Sequence, residues 1–283
     1  MAFVIINNQL IDAKNAQVSI HDRGFRYGDG VFETIAVHDG VPYQFDWHME
    51  RLRKGLHAVK IDGNLHTLHE QCRRLIRENG AKDAILRIQI TRGSGGKGYL
   101  PDAVPAPTLV IETLPLHAPP AGPVSLWLSD WQKITPRSLP VQYKLCQGMS
   151  STLARMEAAE NDCFEALLLN HQGQVCETSA GNIFWLKGDT LYTPALTCGV
   201  LEGAMRAAVM RLSPYAVREP AETLEALEGA QAVFITNSVW KVRAVGRLRP
   251  KGTAWKPSPA LDALKTLVEN DLAAHGELNR ARW

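Results

Sequence analysis

Residues 92–99 read Arg92-Gly93-Ser94-Gly95-Gly96-Lys97-Gly98-Tyr99. Glycines at this density let backbone N–H groups approach an anion closely. The spacing matches neither the dinucleotide fingerprint nor the Gly-Lys-Ser/Thr of a phosphate loop, so a flexible substrate-side loop or a simple turn is the plainer reading. Ser94 and Ser150 sit in no Gly-x-Ser-x-Gly elbow, which leaves a Ser-His-Asp hydrolase unsupported. Histidines 21, 38, 48, 57, 66, 69, 117, 171 and 275 form no His-Glu-x-x-His pair, and His66 with His69 reads as solvated helix surface rather than a ligand set. The five cysteines, Cys72, Cys146, Cys163, Cys176 and Cys198, are an odd number without Cys-x-x-Cys spacing. Neither a disulfide framework nor a metal site is expected, and the thiols should be free and mostly buried.

The elements that position these groups belong to an ordinary globular chain. Its 283 residues suit one large or two modest domains, and 45% hydrophobic with 21% charged residues is a core-forming composition. Lys+Arg 31 against Asp+Glu 29 leaves no basic excess, so nucleic acid and membrane surfaces are not expected partners. No apolar run nears the ~18–20 residues of a bilayer span and the N-terminus lacks a signal pattern, which predicts a cytoplasmic protein.

Strand patterns are read at Phe3–Ile6, 31–37, 84–91 and 108–113, with turns at Asn7-Asn8 and Asp39-Gly40. Leu52, Leu56 and Val59 fall at i, i+4, i+7 and predict a helix over about 47–59 with Asp46 as N-cap; a second helix is expected near 65–79. Prolines 101, 105, 107, 115, 119, 120 and 123 place a linker at about 114–123. Beyond it, strands at 124–128, 165–169, 182–186, 190–192 and 232–236 mix with helices near 149–160, 203–213 and 260–275. The pattern is α+β, and the expected division is a smaller N-terminal α/β domain, 1–118, and a larger C-terminal domain, 119–283.

Five ordered segments stand out: Ser19–Thr34 (Ser-Ile-His-Asp-Arg-Gly-Phe-Arg-Tyr-Gly-Asp-Gly-Val-Phe-Glu-Thr), His48-Met49-Glu50-Arg51-Leu52, Tyr143-Lys144, Glu177-Thr178-Ser179-Ala180-Gly181-Asn182-Ile183-Phe184 and Gly199-Val200-Leu201-Glu202-Gly203-Ala204-Met205-Arg206. Together they resemble the class IV pyridoxal-phosphate aminotransferases, which include branched-chain and D-amino-acid aminotransferases and 4-amino-4-deoxychorismate lyases. The resemblance implies fold type IV, a two-domain enzyme with the cofactor, pyridoxal 5'-phosphate, in the cleft between domains, and a homodimer whose second subunit completes the pocket.

By resemblance, Lys144 is the catalytic lysine that forms a Schiff base with the cofactor and then moves protons, a role that needs an amine. Glu177 matches the anionic partner of the pyridine nitrogen. Arg51 and the amides of Gly203, Ala204 and Met205 match the phosphate site, chemistry that a guanidinium and a helix N-terminus both suit. Leu201 is expected on the ring face, and Asn237, Ser238 and Val239 at further phosphate donors.

The loop at 92–99 and Asn237-Ser238 look lyase-like, and Lys97 and Tyr99 hold the places of the Arg-x-His clamp of D-amino-acid aminotransferases. Phe32, Arg26, Arg92, Lys97 and Tyr99 are therefore the expected substrate-binding residues, for a small amine carrying carboxylate. After the lysine the chain reads Leu145-Cys146-Gln147-Gly148-Met149, where lyases commonly have His-Leu-Asn-Arg, and Arg243-Ala244-Val245 replaces a usual Pro-Val ending. The lyase is the first expectation, with an aminotransferase for D-amino acids, (R)-amines or branched-chain amino acids as the alternative. A non-catalytic pyridoxal-phosphate binder is a remote third.

Overall fold

The computed structural model describes residues 2–103 and 106–283, so Pro105 of the proline cluster lies outside the described residues. The chain divides into two units, one of residues 1–117, 143–147 and 272–283, the other of 118–142 and 148–271.

In the first unit the elements are β1 (Phe3–Ile6), β2 (Gln9–Asp12), α1 (Arg23–Tyr27), β3 (Gly30–His38), β4 (Val41–Pro42), α2 (Phe45–Ala58), α3 (Leu68–Glu78), β5 (Ala84–Ser94) and β6 (Ala106–Pro115). Six antiparallel strands pair in the order β2-β1-β6-β5-β3-β4. Leu52 and Leu56 of α2, with Leu68, Cys72 and Leu75 of α3, bury themselves against Ile35, Leu86, Ile88 and Ile111 of the sheet. Each such side chain contributes roughly 1.5–3 kcal/mol by leaving water. Helix α2 begins two residues before the expected cap: Gln44, at φ 53°, is the N-cap residue, and Asp46 lies in the first turn. There its charge complements the helix dipole and pairs with Arg282 at 2.7 and 2.9 Å.

The second unit holds β7 (Val124–Leu128), α4 (Met149–Glu160), β8 (Glu165–Leu169), β9 (Val175–Thr178), β10 (Asn182–Lys187), β11 (Thr190–Tyr192), α5 (Ala204–Leu212), β12 (Ala216–Arg218), β13 (Ala232–Asn237), β14 (Lys241–Arg249), β15 (Thr253–Ala254) and the start of α6 (Pro259–Asn279). Its sheet runs β12-β11-β10-β13-β14-β7-β8-β9, and β9 pairs back onto β10 through Asn182 and Glu177. The curled sheet encloses Leu126, Leu167, Ile183, Trp185, Val233, Ile235 and Val245.

The division differs from a single cut after residue 118. Strand β4 covers β3 only at Val37 and His38, so the edge at Gly30–Phe32 is open. Segment 143–147 fills it: Phe32 N donates to Lys144 O at 2.9 Å and Cys146 N to Gly30 O at 3.0 Å. Unpaired backbone groups at a buried edge are costly, which draws these residues, Lys144 among them, into the first unit. The expected strands and helices are otherwise present; the structure adds the short β2, α1, β4, β9, β12 and β15, and also β14, whose Lys-Val-Arg-Ala-Val-Gly-Arg-Leu-Arg mixes cations with small residues and gives a weak strand signal. Four cysteines are buried and all five are free. Among the described residues no helix is long and apolar enough to cross a membrane.

Candidate active site

In the first unit a buried cluster forms where α2 faces β3. His48 and Arg51, three residues apart, lie on one helix face, and Glu33 meets both from the strand. Glu33 Oε1 accepts from Arg51 Nε at 2.8 Å, and Oε2 from Arg51 Nη2 at 2.5 Å and His48 Nδ1 at 2.7 Å. A carboxylate only accepts, so Nδ1 carries the proton. All three residues are 5% exposed or less. Burial pushes the Glu33 carboxyl up, but Arg51 and His48 outweigh it and hold it at about 2. Burial, which outweighs the pull of Glu33, keeps the imidazole of His48 below its usual value and therefore neutral. Lys144 Nζ stands 4.6 Å from the centroid of the Phe32 ring, on the same strand as Glu33. Phe32 and Glu33 are consecutive on β3 and project to opposite faces of the strand, the Lys144 amine lying over the ring of one and Arg51 bound to the carboxylate of the other.

In the second unit Glu177 is 4% exposed. Its Oε2 accepts from Leu201 N at 2.8 Å and Asn182 Nδ2 at 3.1 Å, and its Oε1 pairs with Lys133 Nζ. Asn182 Nδ2 also donates to Leu201 O at 2.9 Å, so Leu201 is held by both its backbone groups. Gly203 is the N-cap residue of α5, which has no side-chain cap. A Cβ there would come within 2.1 Å of Asn182 Oδ1, so only glycine lets the helix start this close to β10. The first-turn amides of Ala204 and Met205 are donors of the type that accepts an anion. On β13, Thr236 Oγ1 is buried without a hydrogen-bond partner among the described residues. On β8, burial raises the Glu165 carboxyl, and Ser179 Oγ donates to its Oε1.

Several expected site residues have other tasks. Arg92 is 9% exposed and spends its guanidinium on Asp29 at 2.8 and 3.0 Å and on the carbonyls of Val59 and Lys60, both at 2.7 Å. It is a clasp for β5 rather than a substrate cation. Val239 N donates to Asn237 Oδ1 at 2.9 Å, as does Trp240 N at 2.7 Å, while Asn237 Nδ2 donates to Ala180 O at 2.9 Å. Asn237 closes the β13–β14 turn, and the Val239 amide is engaged in it. Arg26 reaches Ile20 O at 3.1 Å and His21 Nδ1 at 2.6 Å on the surface. Tyr99 is 87% exposed and lies 5.4 Å, ring to ring, from Tyr27. Lys97 is also exposed, in a loop whose Gly98 and Tyr99 carbonyls accept from the buried Arg23 at 2.9 and 3.0 Å. Ser238 follows Asn237 in the same turn.

Glu33 and His48 stood in the quoted segments without a role; their signal was a carboxylate and an imidazole flanking the motif arginine. Lys133 lay outside every segment, and only burial against Glu177 marks it.

A nucleophilic amine, a buried carboxylate with its own counter-ion and an uncapped helix N-terminus are the parts of an enzyme that handles an anionic, heterocyclic cofactor. The comparisons agree. The family model described as amino-transferase class IV matches residues 30–248. The aminodeoxychorismate lyase of Bacillus subtilis is 28% identical over 281 residues, 95% of this chain and 94% of that one. A putative branched-chain-amino-acid aminotransferase of Methanocaldococcus jannaschii is 32% identical over 252 residues, 84% and 85% of the two chains. The crystal structure of 4-amino-4-deoxychorismate lyase from Pseudomonas aeruginosa superposes with a TM-score of 0.85 at 26% identity, covering 95% of this chain and 99% of that one. With the match running from the start of β3 into β14, over the end of the first segment and the whole of the other four, the chain belongs to the class IV amino-transferase family of enzymes.

Proposed function

We propose that the protein is a pyridoxal-phosphate enzyme that converts 4-amino-4-deoxychorismate to 4-aminobenzoate and pyruvate, working in folate biosynthesis as a cytoplasmic homodimer. The observation that carries the reaction is similarity to aminodeoxychorismate lyases over nearly the whole chain, in sequence and in fold. The cofactor reading is supported by the donor set: the buried carboxylate of Glu177, the uncapped start of α5, the Gly203 cradle that a Cβ would fill and the orphaned Thr236 hydroxyl all suit a phosphorylated pyridine.

Lys144, Arg51, Glu177, Leu201 and the amides of Gly203–Met205 are the residues that would hold it, with Ser238 as a further donor. When bound, pyridoxal phosphate supplies an electron sink for a carbanion beside the substrate amine. Glu177 would hold the proton on the ring nitrogen. Lys133 pairs with Glu177, so the buried carboxylate has a counter-charge within its own unit. Lys144 Nζ would be the base that moves the substrate's proton, with the Phe32 ring beside it. Arg51, oriented by Glu33 and His48, would bind the phosphate. A homodimer is supported by exposed Ile20, Phe25, Tyr99 and Leu100 around α1 and the 92–99 loop, apolar surface that a second copy would cover.

The test is to supply 4-amino-4-deoxychorismate to the cofactor-loaded enzyme and quantify 4-aminobenzoate and pyruvate. Equimolar release is expected, and Lys144→Ala should abolish both release and the visible absorption of lysine-linked cofactor. A second reading is transamination, favoured by the 32% identity to the putative branched-chain aminotransferase and by the removal of Arg92 from substrate binding. No aromatic product, with keto-acid-dependent turnover of D-alanine, (R)-amines or branched-chain amino acids, would establish it instead.

A further inference from the structure

Glu165 is a fully buried carboxyl for which the proposed reaction has no use. It heads β8, Glu-Ala-Leu-Leu-Leu, and lies opposite Leu126 of β7, so the packing of this strand asks for no acid. A carboxyl taken out of water is costly unless its oxygens are hydrogen-bonded. Burial pushes the group above its ordinary value, against the opposing pull of Ser179, Ala166, Arg155 and the Ala180 amide.

What this carboxyl holds is the tip of a hairpin. Its Oε1 accepts from Ser179 Oγ and, at 2.9 Å, from Ala166 N, while Ser179 N donates to Ala166 O at 3.0 Å. The β8–β9 pairing ends at Leu167 and Thr178, and β10 begins at Asn182, so residues 179–181 lie beyond the ladder. They are tied down from other sides as well: Thr178 N donates to Gly181 O at 2.7 Å and Asn237 Nδ2 to Ala180 O at 2.9 Å. A Cβ on Gly181 would come within 2.7 Å of Thr236 O, so the turn lies close against β13. The two stems carry Glu177 and Asn182, which pair across the hairpin, and Asn182 Nδ2 donates both to Glu177 Oε2 and to Leu201 O. Glu165 therefore grips the chain two residues past Glu177 and three before Asn182.

We propose that Glu165 is a positioning residue for the cofactor site: by holding Ser179 it sets where Glu177 and Asn182 stand, and with them Leu201. All of these residues belong to the second unit. The inference rests on the reading of Glu177 as the partner of the cofactor's ring nitrogen.

Three variants of the full-length protein, each titrated with pyridoxal phosphate, test it. Glu165→Leu suits the apolar strand but removes the grip, Glu165→Gln keeps an accepting oxygen, and Ser179→Ala removes the hydroxyl without touching the buried acid. In Glu165→Leu and Ser179→Ala the absorption maximum of lysine-linked cofactor should shift and the affinity for pyridoxal phosphate should fall about tenfold, as when groups that orient a metal's ligands are removed. Glu165→Gln should recover most of both. Ser179→Ala keeps the test open if Glu165→Leu does not fold. Variants that lose stability in urea while keeping the wild-type spectrum and affinity would overturn the inference and leave Glu165 a structural residue only. Glu177→Gln separates this from the underlying reading. If it shifts the absorption maximum while Glu165→Leu and Ser179→Ala do not, the positioning role alone fails; if none of the three shifts it, the ring-nitrogen role of Glu177 fails and the positioning role with it.

Discussion

Glu177 meets three donors from its own unit, and the charged one, Lys133, is the partner whose loss leaves a buried anion uncompensated. Removing it by Lys133→Met should cost on the order of 3 kcal/mol in urea unfolding and shift the absorption maximum of bound cofactor. Lys133→Arg should restore most of both; a spectrum unchanged in Lys133→Met would show that the pair is structural only. Arg92 and Lys97 separate two meanings of a loop cation. Arg92→Ala leaves Asp29 with Arg23 alone and strands two carbonyls, so roughly 2–3 kcal/mol of stability should be lost. Lys97→Ala, at an exposed position, should leave stability within about 0.5 kcal/mol and change KM if it touches substrate at all.

Between elements, two glycines make approaches that no other residue permits. Gly93 sits at φ +81° in the irregular register between Thr91 and Ser94, and a Cβ there would lie 1.8 Å from Ala106 O. Gly93→Ala should therefore break the β5–β6 pairing locally, at a cost of at least about 2 kcal/mol in thermal or denaturant unfolding. Gly203→Ala forces α5 away from Asn182, which also holds Glu177 and Leu201. Its expected effect is at least a tenfold weaker affinity for pyridoxal phosphate, read by equilibrium titration. The strands and helices around these glycines were largely legible, because 2- and 3.6-residue periodicities write burial directly into the sequence. The start of α2 was not, since a left-handed Gln44 carries no cap signature and Asp46 imitates one two residues too late.

For the whole molecule, acid is the natural challenge. Glu33 lies well below its usual 4.5, at about 2, so the stability it contributes is full above pH 4.5 and is lost as pH falls toward 2. The difference corresponds to about 3 kcal/mol. Asp29 acts in the same direction: its two arginines outweigh burial and lower it. His48 adds to the effect, because a buried neutral imidazole must be protonated at low pH. Wild-type stability should fall steeply from about pH 4.5 downward in denaturation curves, and Glu33→Gln should be less stable at neutral pH with a flatter acid limb. An acid limb unchanged in Glu33→Gln would mean that the cluster is not what senses pH.

The sequence by itself determined the α+β class, the two-part organisation in outline, and the order of five segments that carry Lys144, Arg51 and Glu177, because residue type and local spacing are covalent facts. Only the tertiary structure decided that Arg92 is a clasp while Arg51 is held by Glu33, that Lys133 serves Glu177, and that Lys144 is pinned to the edge of β3. Those outcomes depend on which groups, distant along the chain, share a dehydrated space. Burial and the pairing of charges are set there by packing, and no local pattern records them.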